Sequence, residues 1–330
     1  MMDMERIDVH CHVVPSGYRQ YACDNGHAQP DGMPALPAGS PEEHIALMKK
    51  LNITKSILSI SSPGTHLTPT QNHQAAKMTR QTNEELSEIC ARYPSSFAFF
   101  ASLPLPSIEE SIEEIDHALD NLGAVGFAIM SNANGVYLGD ATLDPVFERL
   151  NSRKATLFIH PTTCHLLSPD GRVEVAKPLA QYARPMMEFL FDETRAVANL
   201  LLSGTVSKYP DITFIVSHCG CVLPPILDRI GSFATLGGAQ NANASFRKLL
   251  RERFYFDLAG FPFPDQIHGL LRTLGEGAEE RLLYGSDYPF TPGKLVVGLA
   301  GQMDEGIKEI FRADQVEKVY SGNARALFGL

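Results

Sequence analysis

The sequence of 330 residues predicts an α/β protein of the (β/α)8 class, a TIM barrel formed by a single domain. Eight short apolar runs rich in β-branched residues recur along the chain, and amphipathic stretches lie between them. No repeat, low-complexity tract or long linker divides residues 1–330. The same alternation is compatible with a doubly wound parallel sheet, which is the second architecture to consider.

The predicted strands are almost continuously apolar, as is typical of parallel strands that are covered on both faces. They comprise residues 6–12, 56–61, 97–103, 124–130, 156–161, 212–218, 253–259 and 281–287.

Helix signals separate these runs. Ser40 and Glu43 form the pattern of a capping box with Pro41 at the first helical position, and we expect a helix to follow. Ser107 and Glu110 repeat the pattern before another amphipathic stretch, in which Gly123 is the predicted end.

The first strand-to-helix connection is much longer than usual for an α/β unit. Residues 13–39 are rich in glycine and proline, and within them residues 14–39 are predicted to form an active-site loop that covers the mouth of the barrel. The alternative is an irregular surface excursion without a role in the site.

Composition excludes several classes of protein. The formal charge of −10 argues against nucleic acid and anionic membrane partners. The acidic N-terminal segment lacks the apolar core of a secretory signal, and no apolar run approaches the ~18 residues of a membrane helix. Six scattered cysteines predict reduced thiols and a cytoplasmic protein, and we interpret the neighbouring pair Cys219 and Cys221 as buried or loop thiols.

Five polar residues lie at the carboxyl ends of predicted strands: His10, His12, His160, His218 and Asp287. In a strand, residues i and i+2 point to the same side, so the two imidazoles of the first strand converge. In a barrel all five side chains rise into the same C-terminal mouth, where such enzymes place their chemistry. Any one of these histidines alone is more often a hydrogen-bonded core residue, but together they indicate a site.

Three imidazole nitrogens and one carboxylate oxygen form a ligand set for a divalent metal ion. Zn²⁺ is favoured, and Mn²⁺ or Fe²⁺ fits if solvent expands the coordination. We therefore predict one divalent metal ion per subunit as the cofactor.

Four motifs carry a family resemblance: "DVHCH", "FIHP", "VSHCG" and "LLYGSDYP". They resemble the motifs of the amidohydrolase superfamily, in particular its branch of metal-dependent decarboxylases that includes the 2-amino-3-carboxymuconate-6-semialdehyde and o-hydroxybenzoate decarboxylases. The resemblance runs from Arg6 to the tail "SGNARALFGL". The stretches around residues 25–53 and 56–67 are most similar to fungal 6-methylsalicylate decarboxylases.

The resemblance implies roles for individual residues. Its metal ligands fall on His10, His12, His160 and Asp287, and the catalytic histidine falls on His218. Asp287 is the preferred proton donor, and the reverse assignment to His218 stays open. Binuclear members of the superfamily carry a bridging lysine at the end of strand four, where this sequence reads "GFAIMSN", so a mononuclear site is expected.

The activity implied is the non-oxidative, metal-dependent decarboxylation of an o-hydroxybenzoate. The narrower match implies conversion of 6-methylsalicylate, a small aromatic carboxylate, to 3-methylphenol (m-cresol) and CO₂ in secondary metabolism. The alternative enzyme is a metal-dependent hydrolase of a lactone or amide that uses the same site. A barrel that keeps its metal for stability or ligand sensing is the non-enzymatic alternative.

Candidate substrate contacts follow the sixth, seventh and eighth strands. Phe261 and Phe290, with Phe263 nearby, offer an apolar wall, although such residues equally pack barrel rims. Arg229 lies eleven residues after His218, and in the decarboxylase family the arginine at that offset reaches the site of a neighbouring subunit. The resemblance thus implies a homodimer, against the plainer reading of a surface arginine, and Arg19 is a weaker candidate for the same charge.

Overall fold

The computed structural model describes residues 4–330 and shows eight parallel strands hydrogen-bonded in chain order, which confirms the predicted (β/α)8 barrel. The strands are β1 (Arg6–His12), β2 (Ile53–Ser59), β3 (Phe97–Ser102), β4 (Gly126–Met130), β5 (Thr156–His160), β6 (Thr213–Val216), β7 (Phe254–Asp257) and β8 (Leu282–Leu283). Backbone bonds from Val9 N to Tyr284 O (3.0 Å) and from His12 N to Tyr288 O (2.7 Å) join the last segment to β1 and close the ring.

Helices cover the outside of the barrel. They are α1 (Ser16–Asp24), α2 (Pro41–Leu51), α3 (Asn72–Arg92), α4 (Ile108–His117), α5 (Asp144–Ser152), α6 (Glu188–Leu202), α7 (Thr205–Lys208), α8 (Leu223–Leu236), α9 (Ala242–Arg253), α10 (Gln266–Leu274), α11 (Gly293–Ile310), α12 (Ala313–Glu317) and α13 (Asn323–Phe328). Two short antiparallel ribbons, Asn132–Ala133 with Val136–Tyr137 and His165–Leu167 with Val173–Val175, lie outside the barrel sheet. Within residues 4–330, no helix is long and apolar enough to cross a membrane.

Several strand boundaries differ from the predicted ones. The second strand begins and ends earlier than expected, at Ile53–Ser59, and the sixth and eighth end before their predicted polar residues. His218 and Asp287 therefore follow their strands rather than ending them, with φ angles of +50° and +58°. A positive φ is incompatible with extended backbone, so the strand pairing stops before each residue.

One of the two predicted helix caps is correct. The Ser40 side chain accepts a bond from Glu43 N, and the Glu43 side chain accepts one from Ser40 N, so the capping box is complete. The second helix begins where predicted, with Ser107 as its N-cap residue, but its capping box does not form, because the buried Ser107 hydroxyl makes no hydrogen bond among the described residues. Gly123 has a φ of +72° and ends this region as expected.

The first connection is more ordered than its composition suggests. It contains α1 and a 3-10 turn at Pro30–Gly32, so the picture of a wholly irregular loop is wrong. Asp31 in that turn accepts a hydrogen bond from Thr163, and the Arg19 guanidinium donates to Leu36 O at 3.3 Å and Pro37 O at 2.5 Å. The bond from Thr163 ties the connection to the segment after β5, and the Arg19 bonds hold the two halves of the connection together.

The interior of the barrel is filled by apolar side chains near its N-terminal end. The buried members of this interior cluster are Ile7, Val9, Ile57, Phe100, Ala128, Phe158, Ile215, Leu283 and Ala324. Phe328 from α13 packs against Phe100, with ring centroids 5.7 Å apart, so the C-terminal helix covers this end. Polar groups occupy the opposite end, where the strands finish.

Candidate metal centre

A one-residue bulge in β1 aims the first two histidines into the barrel. Asp8 pairs with Ser56 and Cys11 with Leu58, so β1 carries one residue more than β2 between these pairs. As a result Val9 contacts the interior cluster while its neighbour His10 also faces inward. The His10 N–H lies 3.2 Å from Asp8 Oδ1, which accepts its hydrogen bond.

Four predicted ligands converge. One donor atom each from His10, His12, His160 and Asp287 lies within 4.8 Å of the others. Asp287 Oδ1 is 3.5 Å from His10 Nε2 and 3.4 Å from His12 Nε2. Two strands, β1 and β5, supply the histidines at the same end of the barrel, and the segment after β8 supplies the carboxylate.

Each of these imidazoles is oriented through its Nδ1 atom. His10 Nδ1 donates to Asp257 Oδ2 at 2.9 Å, and His160 Nδ1 donates to Pro161 O at 2.7 Å. His12 Nδ1 is 2.9 Å from Ser59 Oγ, whose own proton goes to Cys11 O, so the imidazole is the donor. In the neutral form of each imidazole the Nε2 atom is thereby left as an acceptor toward the common centre.

Neighbouring charges and burial shift the pKa values at this centre in opposite directions. Burial lowers the pKa of His12, His160 and His218, which keeps their imidazoles neutral. Burial also opposes the charged form of His10, but the Asp257 carboxylate raises the pKa of His10 to about 10. The neighbouring His10 and His12 outweigh burial at Asp287 and hold the pKa of its carboxyl well below its usual value.

A divalent metal ion fits these residues. His10 Nε2 and His12 Nε2 are buried and have no hydrogen-bond partner among the described residues, an arrangement that is costly unless a cation binds there. Their lone pairs, that of His160 and the Asp287 carboxylate form the nitrogen-rich set that zinc and other borderline metals bind.

His218 stands beside this centre without belonging to the four-residue cluster. Its ring centroid is 4.9 Å from that of His10, and its backbone N–H donates to Asp257 Oδ1 at 3.1 Å. Asp257 therefore orients both the ligand His10 and the backbone that carries His218.

A cavity of about 350 Å³ opens next to the cluster. His160, His218 and Asp287 form its floor, with Ser61, Gln266 and Thr291 as further polar members. The remaining wall is largely apolar and includes Met33, Pro185, Met186, Phe189, Leu190, Phe261 and Phe290. No Lys or Arg of the described chain lines this cavity.

The predicted substrate contacts take different places. Phe290 lines the cavity and packs edge-on against His12 with centroids 5.4 Å apart, and Phe261 stands at the rim with 66% of its surface exposed. Phe263 is buried against α11, where it crowds Gly306, so it does not belong to the wall. Arg229 lies on the exposed side of α8 over the Phe233 ring, outside the cavity of its own chain.

Sequence reasoning missed the residues that orient the ligands. Asp257 is the one carboxylate in the apolar run "RFYFDLA", and a buried charge at a strand end was a signal for this role. Ser59 ends β2 without any distinguishing pattern, so nothing in the sequence marks it. Cys219 and Cys221 are buried thiols as predicted, and Cys221 Sγ donates to Glu193 at 3.0 Å.

Three histidines and a carboxylate at the C-terminal mouth of a (β/α)8 barrel, next to an apolar cavity, define a metal-dependent barrel enzyme. The end of β4 carries Ile129 and Met130 and no lysine that would bridge a second metal. A comparison with family models matches the amidohydrolase family over residues 7–330. The chain belongs to this family.

The chain is similar to several decarboxylases. It is 32% identical over 329 residues to decarboxylase macB of Penicillium terrestre, covering 98% of this chain and 95% of that protein. It is 30% identical to 6-methylsalicylic acid decarboxylase of Penicillium expansum, covering 89% and 88%. The prediction of an enzyme in the carboxy-lyase class is confirmed by these relatives.

A solved structure shows the same fold. The 5-carboxyvanillate decarboxylase of Novosphingobium aromaticivorans, complexed with manganese and 4-hydroxy-3-methoxy-5-nitrobenzoic acid, superposes with a TM-score of 0.80. It is 22% identical, and the match covers 100% of this chain and 97% of that one.

Proposed function

We propose that this protein catalyses the metal-dependent, non-oxidative decarboxylation of an o-hydroxybenzoate, with 6-methylsalicylate as substrate and 3-methylphenol and CO₂ as products. The observation that carries the proposal is the cluster of His10, His12, His160 and Asp287 beside His218 at the floor of a mainly apolar cavity. The similarity to a 6-methylsalicylic acid decarboxylase supports the substrate.

The cavity suits a small aromatic ring with an apolar substituent. A divalent cation held by the four ligands supplies Lewis acidity toward the carboxylate and the adjacent phenolic oxygen. Phe189, Leu190 and Phe290 offer apolar surface to the ring and its methyl group. A mainly apolar wall also excludes water from the ring carbon that must be protonated.

Protonation of the ipso carbon has to precede or accompany loss of CO₂, since an unstabilised aryl carbanion would otherwise form. We assign the proton transfer to Asp287, whose side chain faces the cavity and is held by a bond from Thr291 Oγ1 to its Oδ2 at 2.8 Å. His218, which lines the same floor of the cavity, orients the Asp287 carboxyl group or shares its proton. Because His10 and His12 lower the pKa of Asp287, the reverse assignment, with His218 as donor, is the alternative to test.

The substrate carboxylate lacks a cationic partner from the cavity wall, and we propose that Arg229 of a second subunit supplies it in a homodimer. Ile226, Phe233 and Leu236 are exposed large apolar residues on the same helix, α8, which supports a covered face. If this is correct, Arg229→Ala raises KM for the carboxylate by about 10-fold or more, and mixing it with a His160→Ala variant restores part of the activity. An unchanged KM contradicts the role in trans.

Zn²⁺ is the proposed resident ion because three imidazoles dominate the ligand set, and Mn²⁺, which the 5-carboxyvanillate decarboxylase binds, is the competing choice. Metal analysis of protein purified without chelators decides between them. All six cysteines are free thiols, which supports the proposed cytoplasmic location.

The deciding experiment is product analysis with 6-methylsalicylate and metal-loaded protein. Release of CO₂ together with 3-methylphenol, both absent from the Asp287→Asn variant at equal metal content, supports the proposal. Full metal occupancy without turnover contradicts the choice of substrate, and other o-hydroxybenzoates are then tested. Hydrolysis of a lactone or amide in the same assay format would identify the alternative enzyme.

A further inference from the structure

The segment that carries His218 has an unusual backbone. His218, Cys219, Gly220 and Cys221 have φ angles of +50°, +57°, +75° and +56°, so four consecutive residues are left-handed. Three of them have a Cβ atom that disfavours this region. Such a conformation persists only when the surrounding structure holds it, and it is frequent where a functional side chain must be aimed.

Gln266 at the start of α10 holds this turn from the cavity side. Its Nε2 donates to His218 O at 2.8 Å and to Cys221 O at 3.1 Å, so one amide group spans the first and last residues of the turn. Both partners are carbonyl oxygens, which can only accept, and this fixes the amide with its nitrogen toward the turn.

The opposite side of the turn is held by carboxylates. Glu193 Oε1 accepts from Ser217 N at 2.8 Å, and Asp257 Oδ1 accepts from His218 N at 3.1 Å. These groups fix the entry to the turn through its N–H donors. Gln266 completes the support because it takes the carbonyl oxygens, which the carboxylates cannot bind.

We propose that Gln266 is a positioning residue that fixes the His218 imidazole beside the metal ligands by closing the left-handed turn; the catalytic consequence rests on the proposed function of His218. The rival role is direct contact with the substrate, because Gln266 also lines the cavity and its Oε1 is an acceptor. The two roles use opposite ends of the same amide.

Two substitutions distinguish the two roles of Gln266, because each one keeps a different end of the amide. Gln266→Glu keeps an acceptor of the same shape and removes the N–H donors, whereas Gln266→Lys keeps a donor and removes the acceptor. If the turn is what matters, Gln266→Glu lowers kcat by about 100-fold with KM within about threefold, as expected when a catalytic group is misplaced, and Gln266→Lys retains most of kcat. Metal content is measured in each variant, and His268→Ala, an exposed position on the same helix, is the matched control.

Hydrogen exchange of the metal-loaded protein tests the turn without any substrate. Peptides covering residues 217–222 exchange about 10-fold faster in Gln266→Glu than in wild type, because the two hydrogen bonds that Gln266 donates to the turn are lost, and near the wild-type rate in Gln266→Lys, which keeps a donor there. If Gln266→Glu does not fold, Gln266→Met removes the donors without adding charge.

The outcomes are distinct. Wild-type exchange in Gln266→Glu and Gln266→Met overturns the proposal, and so does a pattern in which Glu keeps kcat while Lys loses it, since that identifies a substrate contact. Wild-type protein that shows no decarboxylation refutes the proposed function, yet the exchange measurement still decides whether Gln266 holds the turn.

Discussion

The two ends of the barrel interior are built from the same strands and serve opposite purposes. Near the N-terminal end, Ile7, Phe100 and Phe158 pack in an apolar cluster whose buried members make up the interior core. Near the C-terminal end, imidazoles and carboxylates are buried together, and the Nε2 atoms of His10 and His12 lack hydrogen-bond partners among residues 4–330. The N-terminal end, the lower end of the barrel, therefore stabilises the fold, and the C-terminal end, the upper end, holds buried polar groups that a bound cation would satisfy.

The largest effect is expected from a substitution at the upper end that removes a group from the proposed reaction. If Asp287 is the proton donor of the proposed reaction, Asp287→Asn keeps an oxygen toward the metal and removes the donor, so kcat with 6-methylsalicylate falls by about 10⁴-fold. Steady-state kinetics at verified metal content measure the loss. His218→Asn is the comparison variant, and if it loses much more activity than Asp287→Asn, His218 is the donor.

The next largest effect is expected from a substitution in the interior cluster at the lower end, and it concerns the free energy of unfolding. Phe100→Ala leaves a cavity in the interior cluster, where Phe100 stacks on Phe158 with centroids 5.5 Å apart, and lowers the free energy of unfolding by about 3–5 kcal/mol. Urea denaturation followed by circular dichroism measures this, with Phe100→Leu as the milder control. The folded fraction keeps its metal affinity, and a large loss of metal affinity would show that the two ends are not separable.

A third effect separates the candidate ligands at the upper end from the residues that orient them. In the Asp257→Asn variant a neutral amide replaces the carboxylate that accepts the His10 Nδ1 proton, so the His10 imidazole is oriented less firmly. Metal affinity is expected to fall by up to about 100-fold, although the ligands themselves are unchanged. Competition with a chromophoric chelator measures the affinity. Ser59→Ala is the matched variant for His12, and it is expected to lose less because a neutral hydroxyl is replaced.

The smallest effect concerns pH. Burial raises the pKa of Glu193 from its usual 4.5 to about 7, so the folded protein binds a proton more tightly than the unfolded chain. This contribution is full at low pH and is lost as pH rises from 4.5 to 7, which lowers the wild-type free energy of unfolding by about 2 kcal/mol between pH 5 and pH 7.

Glu193→Gln removes that component of the pH dependence, and urea titrations across this pH range measure the change in slope. Phe100→Ala, at the other end of the barrel, serves as the control because its stability falls without a change in slope. An identical slope in wild type and Glu193→Gln would show that Glu193 does not titrate there.

The sequence predicts the barrel and the convergence of the four candidate ligands because both depend on local patterns. Apolar runs mark the strands, and His10, His12, His160 and Asp287 end or follow them. The confirmed capping box at Ser40 is equally local.

Features that depend on distant partners are not visible in the sequence. The bulge in β1 shows only in the pairing with β2, and the left-handed turn at His218 depends on Gln266, 48 residues away. Asp257 orients His10 across 247 residues, so its role could be guessed from its apolar surroundings but not assigned.

The closure of the ring has a consequence for how the protein is made. His10 lies in β1, whereas Asp287 follows β8 and donates its N–H to His10 O at 2.7 Å. A growing chain on the ribosome carries three histidine ligands long before the carboxylate is synthesised. The complete set of four candidate ligands thus arises only when the barrel itself can close, so full coordination of a metal ion has to await the end of folding.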